Sequence, residues 1–129
     1  MKKCRVYDKH LKIIRDVKYI DFANEEVMFY ADEFDGNEDE ANLDMVRGFN
    51  EVNIMRFTGK LDINNEPIYE DDICISYRKD FFGDCEIAWD YIKLRWVAVS
   101  RMSDSYTKDL SDFNRGQIKI IGNIYENQE

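Results

Sequence analysis

The chain has 129 residues, of which 44% are hydrophobic and 14% aromatic, and this composition excludes an intrinsically disordered protein. Its 18 Lys and Arg residues are outnumbered by 27 Asp and Glu residues, and the net charge of −9 argues against DNA or RNA binding as its function. No stretch approaches the roughly 20 apolar residues of a membrane-spanning helix, so we expect a folded protein without a membrane partner.

The first part of the chain predicts short antiparallel strands joined by polar turns. Alternating apolar and polar residues place strands at 4–7, 13–14, 17–22 and 27–30. The first two strands form a hairpin, and its polar turn contains His10. Because no Ser or Cys lies near His10 in the sequence, we expect this side chain to be solvated rather than catalytic.

Charge is distributed unevenly along the chain. Residues 1–18 contain seven basic and two acidic residues, a net charge of +5, whereas residues 19–46 contain ten acids and no Lys or Arg. We expect the basic stretch to be solvated charge on the first hairpin. The negative charge of residues 19–46 alone is therefore larger than the net negative charge of the whole chain.

An acidic run occupies residues 32–40, and a short helix is expected over residues 38–47. Asn37 can cap this helix, the helix dipole favours the acids of its first turn, and Leu43 and Val46 give it one apolar face. The run is interpreted first as a solvated loop and helix start, then as a surface for a basic partner, and finally as a mimic of nucleic-acid phosphates. The candidate partner-binding residues are Asp32, Glu33, Phe34, Asp35, Glu38, Asp39 and Glu40.

The remainder of the chain predicts a small antiparallel sheet. Strands are expected at 52–58, 72–77, 84–90, 94–100 and 117–121. Pro67 marks the start or the edge of a strand, because it cannot donate a ladder hydrogen bond. Residues 101–115 carry no strand signal, and we expect either a short helix near 107–113 or a mobile loop.

These elements predict a mainly β fold with two parts. Residues 1–50 form an N-terminal β part with the short acidic helix. Residues 51–129 form an SH3-like small β-barrel, because four or more short strands can close on one another. The length of the chain predicts that the two parts fold as one unit.

Three stretches of the chain together resemble one protein family. They are RVYD at residues 5–8, RFTGKLDINNEPIYEDDI at residues 56–73 and IGNIYEN at residues 121–127. They are similar to the YopX family of bacteriophage and prophage proteins. The turn positions of the family pattern fall on Thr58, Gly59, Asn64, Tyr69, Asp72, Gly122, Asn123 and Tyr125. The resemblance implies a phage or prophage gene product that acts in the bacterial cytoplasm, and it implies no activity and no catalytic residues.

The chain departs from the family pattern at three positions. Asn65 and Asp71 stand where the pattern has Gly, and Gln128 stands where it has Pro. Asn and Asp are the residues other than Gly that best tolerate left-handed backbone, so we expect a positive φ at both of the first two positions. We also expect Asp71→Gly to raise the stability modestly by relieving that strain.

The cysteines indicate a reducing compartment. Cys4, Cys74 and Cys85 are odd in number and have no C-x-x-C spacing, and with one His in the chain a zinc site is disfavoured. The N-terminal residues are basic but lack the apolar stretch of a signal peptide. We therefore expect free thiols, a cytoplasmic protein and no cofactor.

The acidic triplet at residues 70–72 is the strongest enzyme-like feature. Glu70 and Asp72 would share a face of an extended strand and could bind Mg²⁺, although we favour a turn in which Asp72 bonds backbone amides. The spacing of Asp62, Asn64 and Glu66 imitates a calcium loop, but Pro67 replaces the Gly that such a loop needs.

We therefore expect a non-enzymatic phage or prophage accessory protein that acts by binding another protein. The acidic run at residues 32–40 is the candidate surface. One alternative is a metal-dependent hydrolase or nuclease that uses Glu70 and Asp72, and another is a nucleic-acid-binding small barrel led by the basic N-terminus. Apolar edge strands also favour a homo-oligomer, because open edges tend to pair.

Overall fold

The computed structural model describes residues 4–30, 45–103 and 106–126. The chain divides into two compact units, Met1–Arg56 and Phe57–Glu129. Strands are the main element of both units, so the mainly β prediction is confirmed. Within the described ranges no helix has the length and hydropathy of a membrane span. Folding of the two parts as one unit stays a prediction.

The first unit is an antiparallel sheet with the strand order β4-β3-β2-β1-β5. Its strands are β1 at Cys4–Asp8, β2 at Ile13–Asp21, β3 at Glu26–Phe29, β4 at Val46–Gly48 and the first half of β5 at Val52–Leu61. The predicted hairpin is confirmed, with Tyr7 of β1 opposite Ile14 of β2. Val6, Val17, Val27, Phe29 and Val52 form its core.

The predicted acidic helix over residues 38–47 is wrong where the structure describes it. Val46–Gly48 form a strand, β4, in which Val46 lies opposite Met28 and Arg47 lies opposite Val27. Residues 38–44 lie outside the described residues. Local capping signals favoured a helix, but pairing with β4 satisfies the backbone groups of β3 that would otherwise face outward, and such tertiary pairing overrides helix propensity.

A buried carboxylate stands at the end of β1 in the first unit. Asp8 is fully buried, and its oxygens accept hydrogen bonds from Arg15 Nη1 at 2.9 Å and Arg47 Nε at 3.2 Å. The backbone N–H groups of His10 and Leu11 also donate to Asp8 Oδ1, at 2.9 and 3.3 Å. Burial opposes ionisation of Asp8, but the hydrogen bonds from Arg15, Leu11, Arg47 and His10 outweigh it and hold the pKa below its usual value.

The second unit contains a five-stranded antiparallel sheet with the order β10-β9-β8-β7-β11. Its strands are β7 at Asp72–Arg78, β8 at Phe81–Asp90, β9 at Arg95–Ser100, β10 at Thr107–Asp109 and β11 at Ile118–Asn123. The second half of β5 pairs separately with β6 at Pro67–Tyr69, where Pro67 is the first strand residue as predicted. Ile68, Cys74, Phe81, Ile87 and Ile118 are among the residues of its core.

The predicted SH3-like barrel is wrong, because the sheet of the second unit does not close. Its edge strands β10 and β11 lie at opposite sides of the sheet. The outer edge of β11 is occupied by the turn after β5, where Ile63 N–H donates to Ile118 O at 2.9 Å. Alternating strands have the same sequence pattern in an open sheet and in a barrel, so the pattern could not distinguish the two.

In the residues that the structure describes, the polar stretch at 101–115 holds the strand β10, which was not predicted. Of the short helix that was one of the two alternatives near 107–113, the structure has a single 3₁₀ turn at Leu110–Asp112, and a second such turn follows at Arg115–Gln117. Leu110 and Phe113 are buried in the core of the second unit. Arg78 Nη1 donates to Asp112 O at 2.7 Å, which ties this stretch to the end of β7.

We expect Asp8→Asn to lower the free energy of unfolding by about 3 kcal/mol, since it removes the negative charge that faces two buried guanidinium groups. Because the folded pKa of Asp8 is lowered, its contribution is complete above the unfolded pKa of about 4 and is lost as the pH falls through the folded pKa. Urea titrations of both proteins from neutral to acidic pH should show the difference shrinking at low pH.

The matched control is Asp109→Asn, which breaks the half-exposed pair of Asp109 with Arg95. This change should have a small effect, as expected for a surface ion pair. Equal urea midpoints for wild type and Asp8→Asn at neutral pH would contradict the assigned role of Asp8.

Candidate protein-binding surface

The acidic residues chosen from the sequence cannot be placed on a surface. All of them, namely Asp32, Glu33, Phe34, Asp35, Glu38, Asp39 and Glu40, lie outside the described residues. The basic N-terminal stretch is described from Cys4 onward, and one of its basic side chains lies in the core. Arg15 is buried against Asp8, and its guanidinium carbon lies 3.6 Å from the centre of the Phe29 ring.

The family motif at the end of β5 builds a turn around one buried carboxylate. Asp62 is 1% exposed, and its Oδ1 accepts the N–H groups of Asn64 and Glu66, both at 2.9 Å. Its Oδ2 accepts the N–H of Ile120 in β11 at 3.0 Å. Asn65 has a φ of 63°, so the predicted left-handed turn residue is confirmed. Asp62 therefore joins the turn to the edge strand, a role that the calcium-loop comparison did not indicate.

Two further motif residues fix the segment around β6. Thr58 Oγ1 donates to Ile68 O at 2.7 Å, and Gly59 has a φ of 87° that favours Gly. Tyr69 is buried, and its N–H donates to Asp72 Oδ2 at 2.8 Å. The expectation that Asp72 bonds a turn amide is therefore confirmed.

Asp71 combines strained backbone with a side-chain hydrogen bond. Its φ is 71°, as predicted from the family pattern, and its Oδ2 accepts a hydrogen bond from Tyr125 Oη at 2.6 Å. Its backbone N–H donates to Ile87 O, and its carbonyl accepts the N–H of Ile124. Burial and then the neighbouring carboxylates raise the pKa of Tyr125. Asp71 thus ties the C-terminal motif to the start of β7.

The C-terminal motif residues form a tight turn after β11. Asn123 Oδ1 accepts the N–H of Tyr125 at 2.9 Å, and Asn123 Nδ2 donates to Glu126 Oε1 at 3.1 Å. A Cβ atom on Gly122 would come within 2.7 Å of Glu126 Oε2. The family positions thus hold turns and strand ends together, and none of these contacts is a catalytic arrangement.

The proposed metal ligands do not share a strand face. Asp71 interrupts the extended backbone between Glu70 and Asp72, and the buried Asp72 carboxylate faces the Tyr69 amide. In the ranges that the structure describes, no group of three or more His, Cys, Asp or Glu side chains is arranged to hold a metal ion.

The two cysteines of the second unit lie opposite each other in its core. Cys74 of β7 faces Cys85 of β8, and both are fully buried free thiols. Burial, followed by the charge of Asp84, raises the pKa of Cys85 to about 12. Burial likewise raises the pKa of Cys74. Both thiols are therefore packing residues rather than nucleophiles at neutral pH.

The turn between β8 and β9 presents three apolar side chains to solvent. Tyr91, Ile92 and Leu94 are 76%, 94% and 70% exposed. The turn is nevertheless well ordered by Asp90, whose Oδ1 accepts the N–H groups of Ile92 and Lys93 at 2.9 and 3.0 Å. We refer to residues 91–94 as the hairpin tip.

Leu94 adopts a backbone conformation that is unusual for its residue type. Its φ is 57°, in the left-handed region, and its N–H donates to Asp90 O at 2.8 Å. This conformation costs about 1–2 kcal/mol for residues other than Gly, Asn and Asp. Its exposed side chain repays little of that cost through burial in the fold.

A pair of tryptophans supports the hairpin tip from below. Trp89 of β8 lies opposite Trp96 of β9, with ring centres 5.0 Å apart and ring planes at 72°. This edge-to-face geometry is favourable for aromatic pairs. The tip therefore projects from two strands that are joined by this ring contact as well as by backbone pairing.

A groove of about 440 Å³ opens on the second unit beside the end of β11. It is lined by Ile73, Glu86, Arg101, Ile121, Ile124 and Glu126, with Gly122 and Asn123 between them. Its walls therefore combine three isoleucines with one basic and two acidic side chains. A volume of this order suits a few inserted side chains or a small ligand.

Comparison with known proteins identifies the family. The YopX protein family model matches residues 3–129, so the chain belongs to the YopX family, as the motifs predicted. The crystal structure of protein EF1440 from Enterococcus faecalis is similar to this chain, with a TM-score of 0.58 and 20% sequence identity. The match covers 98% of this chain and 95% of that protein, and at this identity it shows the fold alone. No curated protein matches the chain.

The hairpin tip was missed by sequence reasoning, which treated residues 91–93 only as a connection between strands. Three apolar residues in a four-residue turn were the available signal, because such turns are normally rich in Gly, Asn and Asp. The pattern was not recognised because the same residues could continue either flanking strand.

The Tyr125 hydrogen bond revises the expected effect of Asp71→Gly. Gly relieves the left-handed strain, worth about 1 kcal/mol, but it loses a charge-assisted hydrogen bond worth about 1.5–3 kcal/mol. We expect Asp71→Gly to destabilise the wild type and to stabilise the Tyr125→Phe variant, where that bond is already absent. A double-mutant cycle from urea unfolding measures both effects, and additive changes would contradict the coupling of Asp71 with Tyr125.

We expect Leu94→Asn to raise the free energy of unfolding by about 1 kcal/mol, because Asn tolerates left-handed backbone. Ile92→Asn is the matched control, since Ile92 lies at the same tip without a positive φ. Urea unfolding should separate the two variants. A lower midpoint for Leu94→Asn would show that the Leu94 side chain stabilises the fold.

Proposed function

We propose that this protein is a non-enzymatic accessory protein of a phage or prophage that acts in the bacterial cytoplasm by binding another protein. The observation that supports it best is the hairpin tip, where Tyr91, Ile92 and Leu94 are exposed on an ordered turn. Exposed apolar groups that are held in one conformation are typical of binding surfaces.

The energetics of the hairpin tip favour binding. Transfer of one Ile, Leu or aromatic side chain from water to a protein interface contributes about 1.5–3 kcal/mol. Asp90 already restricts the turn through its bonds to two backbone amides, so little conformational entropy is lost when a partner binds. The left-handed backbone of Leu94 is shared by Lys12 and Glu25 at the ends of two other hairpin turns, so it is the exposure of the apolar Leu94 side chain that supports binding.

The acidic run at residues 32–40 is proposed as a second contact surface. Its six acidic residues, Asp32, Glu33, Asp35, Glu38, Asp39 and Glu40, would favour a partner with a basic surface, and Phe34 could anchor that interface. Complementary charge mainly accelerates association, whereas buried apolar groups mainly slow dissociation. The two surfaces can therefore contribute different parts of one interaction.

The roles of four described carboxylates also support a function without catalysis. Asp8, Asp62, Asp72 and Asp90 each accept hydrogen bonds from backbone amides or buried arginines, which engages at least one oxygen of each within the fold. Catalytic carboxylates need oxygens that face a substrate or a metal ion.

Affinity capture from a bacterial lysate tests the proposal with four immobilised forms of the chain. They are the wild type, Ile92→Asp at the hairpin tip, a variant with the acids at 32–40 changed to Asn and Gln, and Ile63→Asp. The last is the matched control, because Ile63 is a half-exposed residue of the same unit away from the tip. We expect a protein that the wild type and the control retain and that Ile92→Asp loses.

Loss of the same protein by the acid-neutralised variant would establish the acidic run as a second contact. Equal retention by all four forms would exclude both surfaces as the binding site. A wild type that retains no protein at all would contradict the proposed function. Circular dichroism of each variant confirms that the fold is kept.

A further inference from the structure

We propose that the hairpin tip of one chain binds the groove beside β11 of a second copy of the same chain. This inference rests on the proposed function, since it names a partner for the hairpin tip. It also assigns a role to the groove, whose presence is not explained by the motif contacts described above.

The apolar groups of the two surfaces complement each other. The tip offers Ile92, Leu94 and Tyr91 as projecting side chains, and the groove offers Ile73, Ile121 and Ile124 as walls. Ile121 is 49% exposed, so about half of its surface is accessible for contact. Burial of the tip side chains against these isoleucines would supply part of the attraction, because most of the exposed lining of the groove is polar.

The charges of the two surfaces are also complementary. Lys93 lies at the centre of the tip, between Ile92 and Leu94, and the groove carries Glu86 and Glu126 against the single positive charge of Arg101. The adjacent carboxylates of Glu70 and Asp71 add to the negative potential, and together with Glu86 they raise the pKa of Tyr125 after the larger effect of its burial. A lysine flanked by apolar residues is therefore a better occupant of this groove than an acidic segment.

The tip does not fill the groove of its own chain. Its three apolar side chains are at least 70% exposed, so they contact little of the rest of the fold. The tip follows β8, whereas the groove includes Arg101, which follows the far end of β9. Occupation of the groove by a tip must therefore come from another molecule.

The geometry predicts a head-to-tail assembly. Each chain has one tip and one groove, and the two surfaces are different, so the contact is heterologous. Such contacts generate either rings or open chains of molecules, and they do not stop at two copies unless a ring closes. A contact of four tip residues is smaller than a standard interface, so we expect association in the range of about 10 μM to about 1 mM.

Sedimentation velocity of the purified 129-residue chain tests the inference with the wild type, Ile92→Asp at the tip and Ile121→Asp in the groove. The wild type should form species larger than one chain as the concentration rises. Each variant alone should remain a single chain, because each lacks one of the two surfaces. Ile63→Asp is the matched control, and it should associate like the wild type, because Ile63 is exposed to a similar extent as Ile121 but does not line the groove.

The decisive measurement is a mixture of equal amounts of the two variants. Ile92→Asp keeps an intact groove and Ile121→Asp keeps an intact tip, so the mixture should form pairs of chains that do not grow further. Association of Ile121→Asp alone would overturn the inference and would indicate contacts between two tips. A mixture that remains single chains would overturn it as well.

The inference and the proposed function can fail separately. A wild type that remains a single chain up to about 1 mM overturns self-association. The capture experiment then still tests whether the tip binds a different protein. Conversely, self-association through tip and groove would stand even if no lysate protein were retained.

Discussion

The second unit depends on buried carboxylates that bind backbone amides. Asp62 holds the turn after β5 and the edge strand β11 through three N–H groups, and Asp72 holds the end of β6. A buried acceptor of this kind must be satisfied, because an unpaired one costs several kcal/mol. The YopX motif therefore supplies the side chains that connect the turns and strand ends of this unit. The carboxylate oxygens of Asp62 and Asp72, two residues of that motif, are therefore engaged within the fold.

The strands were predictable because their side chains alternate between core and solvent, and that alternation is visible in one sequence. The closure of the sheet was not predictable, since it depends on which segment covers the edge of β11. Ile63 occupies that edge through Ile118, a contact between positions far apart in the chain. The helix prediction was wrong at Val46 and Arg47 for a related reason. Capping signals are local in the sequence, whereas pairing with β3 joins residues that are distant in the sequence.

The first unit shows the same limit in its charged residues. Net charge along the sequence indicated a basic N-terminal stretch, yet Arg15 is buried between Asp8 and the ring of Phe29. Whether an arginine faces solvent or the core depends on the strand face that it occupies. Arg15 lies opposite Val6, a core residue, so the register of the first hairpin directs its side chain inward. Charge counts alone carry no information about that register.

Backbone conformation alone does not separate structural turns from the candidate binding site. Lys12, Glu25 and Leu94 all have positive φ, and each is the last residue of a four-residue turn between two strands. The left-handed backbone of Leu94 therefore belongs to this type of turn. Leu94 differs from the other two in its side chain, which is apolar and largely in water. An Asn at this turn would give a more stable chain with the same hairpin. Binding through the hairpin tip is therefore supported by three exposed apolar side chains on one turn that Asp90 holds, and not by backbone strain.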